Sequence, residues 1–251
     1  MSAVAAAPPS SARSAGGVQL ENVGVRFDFD RLGRVVTPGL ALFRRIRSTT
    51  WGLRGIDLEV EPGSGMALIG PTGAGKTTLL RVVASVLPPD EGRALVRGRI
   101  GSLLATAAGL SSLLTGRENA ELLGVLAGRS FEETRRNMHL VAERVQLDDA
   151  FDRPIHTYSL GMRARLGLAG IQAISPDVLL LDEVFEALDH EFRGIVEDYA
   201  RELRARGGIV IAAGHDHPAL ERICPRAAWL DDGHVRASGP FDEVVSAYRR
   251  A

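Results

Sequence analysis

The fold is decided by the stretch Gly70-Pro71-Thr72-Gly73-Ala74-Gly75-Lys76-Thr77-Thr78. The apolar run Met66–Ile69 before it predicts a buried strand, and Leu79–Val83 after it predicts a helix. A glycine-rich loop between a strand and a helix is the context that a phosphate-binding loop needs. The simpler alternative is a glycine-rich turn in front of an ordinary helix.

All nine residues of this stretch are candidate nucleotide-binding residues. Glycines let backbone N–H groups converge on phosphate oxygens without Cβ clashes, and the helix N-terminus adds partial positive charge. We expect Lys76 to reach the β- and γ-phosphates of a nucleotide and Thr77 to ligate Mg²⁺.

Composition limits the other classes of function. The chain has 251 residues and a formal net charge of −1, so it shows no electrostatic footprint for nucleic acid, and we expect no nucleic-acid partner. Cys224 is the single cysteine, which excludes an intramolecular disulfide and favours a buried thiol in a reducing compartment.

Two segments bear on targeting and membranes. Residues 1–17 are rich in Ala, Ser, Pro and Gly and predict a disordered tail before a domain spanning 18–251. The longest uncharged stretch, between Arg99 and Arg117, is too polar to span a bilayer. The sequence therefore predicts no transmembrane segment.

Alternating apolar residues predict strands over Val18–Phe29 and Leu53–Val60. The long connection between them contains Leu40–Arg47, a candidate for a short basic amphipathic helix. Such a helix would lie on a membrane or a partner, or would simply be a solvated helix capping the sheet.

The rest of the chain predicts an α/β fold. The helix after the phosphate loop would end at Pro88-Pro89, and residues 92–100 would return as extended chain. The pattern is largely helical from Thr115 to Ile174, which predicts a helical subdomain at about 101–175, inserted between two strands of the nucleotide-binding sheet. Buried strands follow at 177–183 and 208–213, joined by a helix over 191–206, and a hairpin and a last helix close the domain.

Two of these strands end in residues with catalytic chemistry. Asp182 ends an apolar strand beside the phosphate-binding loop, where its carboxylate would hold Mg²⁺, and Glu183 would act as a general base on water. The alternative is an acidic pair that caps the next helix. His215 ends the following strand, where an imidazole would hydrogen-bond a γ-phosphate or serve only in packing.

Taken together, these motifs resemble those of the ATPases of ABC transporters. The resemblance spans about residues 18–248 and rests on five motifs in order: the loop at 70–78, Ser159-Leu160-Gly161-Met162-Arg163, Val178–Glu183, Glu186-Ala187-Leu188-Asp189 and Gly214-His215-Asp216. It implies a P-loop NTPase of ABC ATPase type, with a mixed core sheet, an antiparallel β subdomain and a helical subdomain.

The resemblance also implies cofactors, partners and roles. ATP and Mg²⁺ would bind between two identical subunits, with Ser159 and Gly161 of one capping the γ-phosphate that Lys76 of the other holds. His215 would act as the sensor of that phosphate. Phe27 matches the aromatic that stacks on adenine, and Trp51 is the second candidate; either could belong to the core.

The subfamily is suggested by the signature region. Thr157–Leu166 resembles the ATPases that export bacterial O-antigen, capsule and teichoic-acid glycans, which implies an ABC-2 type permease and a place on the cytoplasmic face of the inner or plasma membrane. The cargo would be a polysaccharide or lipid-linked glycan of O-antigen, teichoic-acid or cell-wall galactan type. The alternatives are an exporter of drugs or lipids and a soluble regulatory ABC-type ATPase.

Three positions depart from the family pattern. Ala105-Thr106 stands where a glutamine or glutamate is expected, Leu160 stands where a small residue is usual, and Glu186–Asp189 is closer to the general ABC form than to that of glycan exporters. The first departure predicts slower hydrolysis or weaker coupling.

Overall fold

The computed structural model describes residues 17–37, 40–104 and 110–251. The predicted tail therefore lies outside the described residues except for Gly17, which begins the first strand. The strands are β1 (Gly17–Thr37), β2 (Leu40–Val60), β3 (Gly65–Ile69), β4 (Glu91–Arg97), β5 (Ile100–Leu103), β6 (Val178–Asp182), β7 (Ile209–Ala213), β8 (Arg226–Asp231) and β9 (His234–Pro240). The helices are α1 (Lys76–Val83), α2 (Gly116–Leu126), α3 (Phe131–Arg136), α4 (Met138–Val145), α5 (Leu160–Ile174), α6 (Val184–Ala187), α7 (His190–Ala205), α8 (His217–Ile223) and α9 (Phe241–Arg250).

Six strands form the core sheet in the order β5-β6-β7-β3-β8-β9. The first five are parallel, and β9 pairs with β8 antiparallel. Strands β3, β6 and β7 are buried along their whole length, because helices cover one face of the sheet and α1 with the β1–β2 ribbon covers the other. Two-sided burial explains why these strands are continuous apolar runs in the sequence.

A second sheet, in the order β2-β1-β4, is antiparallel. The mixed core sheet and this antiparallel sheet confirm the predicted fold class. Between β4 and β5 the chain changes sheets at Gly98, whose φ of 101° turns the backbone. The extended stretch predicted over 92–100 is therefore two strands in different sheets.

The predicted helix over Leu40–Arg47 is wrong, because β2 begins at Leu40 and runs unbroken to Val60. Its first half pairs antiparallel with Asp30–Thr37 of β1, from Asp30 opposite Arg47 to Thr37 opposite Leu40. A helix of eight residues is marginal in water, whereas ladder hydrogen bonds to a neighbouring strand satisfy the same backbone groups.

Helix α1 ends at Val83, five residues before the prolines expected to stop it. Ser85 takes a φ of 58°, and the N–H of Val86 donates to the carbonyl of Arg81 at 3.0 Å. This left-handed turn closes the helix before Pro88 can do so.

Helices α2 to α5 lie between β5 and β6, where the sequence predicts a helical insert. The first residues of that predicted range, 101–103, instead belong to strand β5. Phe151, Ile155, Tyr158 and Leu166 are buried in a small core of their own between these helices. Within the described ranges, no helix is long and apolar enough to cross a membrane.

Candidate functional site

The phosphate loop, residues 70–78, joins the carboxyl end of β3 to the start of α1. Gly70 and Gly75 have φ values of 142° and 104°, which side-chain-bearing residues rarely adopt. A Cβ atom at position 75 would also lie 2.7 Å from the carbonyl oxygen of Gly52. The loop can therefore approach β2 only with glycine at this position.

The ammonium group of Lys76 lies inside this loop. Its Nζ donates to the carbonyl oxygens of Gly70 at 2.7 Å and Pro71 at 3.0 Å, and the residue is only 6% exposed. Burial lowers the pKa of Lys76, and the nearby carboxylates of Glu183 and Asp182 oppose that shift. A buried cation held by two carbonyls at the loop is well placed to exchange those partners for phosphate oxygens.

The remaining loop residues frame a cavity. Thr72, Gly73, Thr77 and Thr78 line it, and its volume is 330 Å³. Pro71 contributes its carbonyl to Lys76, and the N–H of Ala74 donates to the same carbonyl at 3.2 Å. Ala74 itself is buried.

Asp182 is the last residue of β6 and is 7% exposed. Burial raises the pKa of its carboxyl, and a hydrogen bond with the Thr77 side chain opposes the rise. Its Oδ1 is buried and has no hydrogen-bond partner among the described residues. An orphaned carboxylate oxygen beside a threonine hydroxyl is a donor set that fits Mg²⁺.

The carboxyl ends of β6 and β7 bring Glu183 and His215 together. Glu183 takes a left-handed φ of 52°, which turns the chain sharply from β6 into α6. Its Oε1 lies 3.8 Å from Nε2 of His215, and both side chains are about half exposed. Because β7 lies between β3 and β6, His215 follows the strand that separates Asp182 from the phosphate loop.

Both candidate aromatics line the 330 Å³ cavity. Phe27 faces Thr50 across the ribbon, packs against the buried core and has its ring against Gly52. Trp51 pairs with Arg26, one position along, and its ring is contacted by the guanidinium groups of Arg26 and Arg54, each 5.4 Å from the centroid. Neighbouring residues of a strand face opposite sides, so Phe27 and Trp51 lie on opposite faces of the ribbon. The Phe27 ring packs against Gly52, whose carbonyl oxygen lies against Gly75 of the phosphate loop.

Ser159 and Gly161 lie away from the phosphate-loop cavity. The Ser159 hydroxyl accepts from the N–H of Met162 at 3.2 Å and caps α5. Gly161 faces the carbonyl of Ala187, and both predicted residues line a separate groove of 680 Å³. A single chain therefore does not bring these two residues into the phosphate-loop cavity.

Sequence reasoning missed two residues that shape the site. Glu186 appeared only as part of a motif, yet its Oε1 accepts from the backbone N–H of His215 at 2.7 Å. Gly52 gives the Phe27 ring and the phosphate loop room at the same point. The sequence did offer a signal for Gly52, which is a glycine directly after Trp51 at the edge of an apolar pattern. A glycine in a strand often marks a point where another segment of backbone approaches closely.

The position expected for a glutamine or glutamate, Ala105-Thr106, lies outside the described residues. Its residue types are known from the sequence, and neither carries a carboxylate or a carboxamide.

Two curated proteins are similar in sequence to this chain. The O-antigen export system ATP-binding protein RfbB of Klebsiella pneumoniae is 35% identical over 196 residues, covering 78% of this chain and 80% of that protein. The teichoic acids export ATP-binding protein TagH of Listeria monocytogenes serotype 4b is 33% identical, covering 79% of this chain and 59% of that protein.

Solved structures share the fold. A dimeric post-hydrolysis state of the ATP-binding cassette MJ0796 bound to ADP and Pi superposes with a TM-score of 0.72 at 22% identity, covering 89% of this chain and 98% of that one. The sequence model of the family described as ABC transporter matches residues 53–186, which include the phosphate loop, Ser159, Asp182 and Glu183. The chain belongs to the ABC transporter family.

Proposed function

We propose that this chain is the ATP-binding and ATP-hydrolysing subunit of a bacterial ABC exporter for polysaccharide or lipid-linked glycan. The observation that carries the proposal is the convergence of Lys76, Asp182, Glu183 and His215 at the carboxyl ends of β3, β6 and β7. The names of the relatives, which export O-antigen and teichoic acids, support the cargo.

In this proposal the phosphate loop holds the nucleotide. Backbone N–H groups at the start of α1 bind phosphate oxygens, and Lys76 moves its ammonium from the loop carbonyls to the β- and γ-phosphates. Phe27 stacks on the adenine. Asp182 and Thr77 would hold Mg²⁺, which would neutralise charge on the phosphates.

Hydrolysis then needs a general base and a group that hydrogen-bonds the γ-phosphate. The Glu183 carboxylate takes a proton from the attacking water, the new oxygen–phosphorus bond forms, and the bond to the ADP leaving oxygen breaks. His215, 3.8 Å from Glu183, hydrogen-bonds the γ-phosphate and fixes the position of the water.

The separation of Ser159 and Gly161 from the phosphate loop supports a homodimer. In a head-to-tail pair, the capped N-terminus of α5 in one subunit faces the γ-phosphate bound by the other. Neither subunit has a complete site by itself, so closure of the pair on ATP precedes hydrolysis and drives the change in the membrane partner.

We further propose an integral-membrane permease of ABC-2 type as the partner, which places the subunit on the cytoplasmic face of the inner or plasma membrane. Residues 18–251 would form the ATPase domain, preceded by the tail over 1–17. Its helical subdomain would span about residues 101–175.

The decisive experiment is purification of the tagged protein from detergent-solubilised membranes of its native host, followed by mass spectrometry. A stoichiometric multi-span partner is expected, and depletion of the ATPase should reduce surface glycan while lipid-linked precursor accumulates inside. Normal surface glycan after depletion would favour a drug or lipid cargo. Recovery of a soluble dimer alone, with ATP present, would favour a regulatory ATPase.

A further inference from the structure

The backbone of His215 is held by a carboxylate. Oε1 of Glu186 accepts a hydrogen bond from the His215 N–H at 2.7 Å. Glu186 lies on α6, three residues after Glu183, whose own carboxylate lies 3.8 Å from the imidazole of the same histidine. Two carboxylates on one short turn thus bracket His215, one at its ring and one at its main chain.

The neighbouring glycine makes this contact possible. A Cβ atom at position 214 would lie 2.9 Å from Oε1 of Glu186. That is closer than a methyl group and a carboxylate oxygen approach in practice, so a side chain at 214 would displace the carboxylate from the His215 N–H. The contact between Glu186 and the His215 N–H therefore depends on glycine at position 214.

A second contact ties the same two segments together. The guanidinium group of Arg193 donates through Nε to the carbonyl of Leu188 at 2.9 Å and through Nη1 to Oδ2 of Asp216 at 2.8 Å. Asp216 in turn caps α8, accepting from the N–H of Ala219 at 3.1 Å. Residues 186–189 and residues 214–216 are thus joined at two points.

We propose that Glu186 is a positioning residue for hydrolysis, which holds His215 at the distance from Glu183 that the reaction requires. This inference rests on the proposed function, because it gives Glu186 a role only through His215 and Glu183. Glu186 touches neither nucleotide nor water in this role. The His215 N–H donates to this charged carboxylate, and the hydrogen bond fixes the loop that follows strand β7.

The test compares Glu186→Ala with Glu186→Gln. The amide oxygen of Gln still accepts the His215 N–H, whereas Ala removes the acceptor. We expect Glu186→Ala to lower kcat for ATP about tenfold with KM for ATP within about twofold of wild type, because a displacement of this kind acts on the chemical step. Glu186→Gln should stay within about threefold of the wild-type kcat. Glu243→Ala, an exposed glutamate on α9, is the matched control and should match wild type.

A double-mutant cycle separates this role from general stability. If Glu186 acts through His215, Glu186→Ala should have little further effect in single-turnover hydrolysis when His215→Ala is already present. An undiminished tenfold loss in that background would overturn the proposal. Equal losses in the Gln and Ala variants would also overturn it, since they would point to the charge of Glu186 and not to its hydrogen bond.

A readout without turnover separates this inference from the proposed function. The amide proton of His215 should move upfield and exchange faster with solvent in Glu186→Ala, and change less in Glu186→Gln. An unchanged His215 amide refutes the inference even in an active enzyme. Absence of ATP hydrolysis in the wild type, with the expected amide shifts, refutes the proposed function and leaves the hydrogen bond established.

Discussion

Asp182 should make the Mg²⁺-free protein less stable than it would be with a neutral side chain. Its carboxylate is buried, and Oδ1 has no hydrogen-bond partner among the described residues. A buried polar atom left without a partner costs about 1–3 kcal/mol of folding free energy. Asp182→Asn keeps the shape of the side chain and removes its charge, so it should recover part of this cost.

The expected change in Tm follows from the length of the chain. For about 250 residues, each 1 kcal/mol shifts Tm by about 2–4 °C, so full recovery of about 1–3 kcal/mol would raise Tm by about 2–12 °C. Asp182→Asn recovers part of this cost and should raise Tm in EDTA by a part of that range. The same change removes an Mg²⁺ ligand. MgATP at about 100 times its Kd stabilises the wild type by about 2.7 kcal/mol, and we expect the variant to lose the Mg²⁺-dependent part of that gain.

The effect of Asp182 on folding stability depends on pH in a definite direction. Burial raises the folded-state pKa of Asp182 above its unfolded value, so the folded protein binds this proton more tightly than the unfolded chain. The loss of folding free energy caused by the ionised Asp182 is therefore fully present above the folded-state pKa. It disappears as the pH falls towards the ordinary aspartate pKa of about 3.9. The Tm difference between Asp182→Asn and wild type should shrink over that window.

Differential scanning fluorimetry in EDTA, ATP alone and MgATP measures all three effects. The control is Asp177→Asn, directly before the same strand, whose Oδ2 accepts from the N–H of Arg99 at 2.8 Å. That variant should gain no stability and should keep the MgATP shift. A lower Tm for Asp182→Asn in EDTA, or an intact Mg²⁺-dependent shift, would refute the assignment of Asp182 as a buried metal ligand.

Three further predictions concern the nucleotide. Glu183→Gln should abolish turnover and trap an ATP-bound dimer on size-exclusion chromatography with light scattering, because the base is lost while the phosphate contacts remain; undiminished turnover would remove Glu183 as the base. Lys76→Ala should weaken ATP binding in equilibrium dialysis by at least about tenfold, since it deletes a charge-assisted hydrogen bond; unchanged affinity would contradict the phosphate role. Phe27→Ala should weaken binding of a fluorescent adenine nucleotide more than Trp51→Ala does, because the Phe27 ring packs against Gly52, which itself meets the phosphate loop; the reverse order would assign the stacking to Trp51.

Much of the site was predictable from the sequence. The phosphate loop and the strands ending in Asp182 and His215 are local patterns, in which glycine spacing and unbroken apolar runs carry the information. Parallel strands place their carboxyl ends along one edge, so the convergence of these residues follows from the pattern once the fold class is known. The roles of Ser159 and Gly161 depend on a second subunit, and they stay a prediction.

The failures came from one contact between distant segments and from one local turn that the residue types do not reveal. Residues 40–47 have a helical pattern, but their pairing with 30–37 makes them a strand, and no local propensity specifies that partner. Likewise, Val83 ends α1 because Ser85 turns left-handed, a choice that a search for proline does not reveal.

The sequence by itself determined the family and the phosphate loop. It also determined which functional residues follow the apolar core strands, since each of these features is encoded by neighbouring residues. Only the tertiary structure decided that the Phe27 ring packs against Gly52 beside the phosphate loop, that Oδ1 of Asp182 has no hydrogen-bond partner among the described residues, and that Glu186 holds the backbone of His215. The physical reason is that burial and hydrogen-bond partners are set by which distant segments pack together, and spacing along the chain does not contain that information.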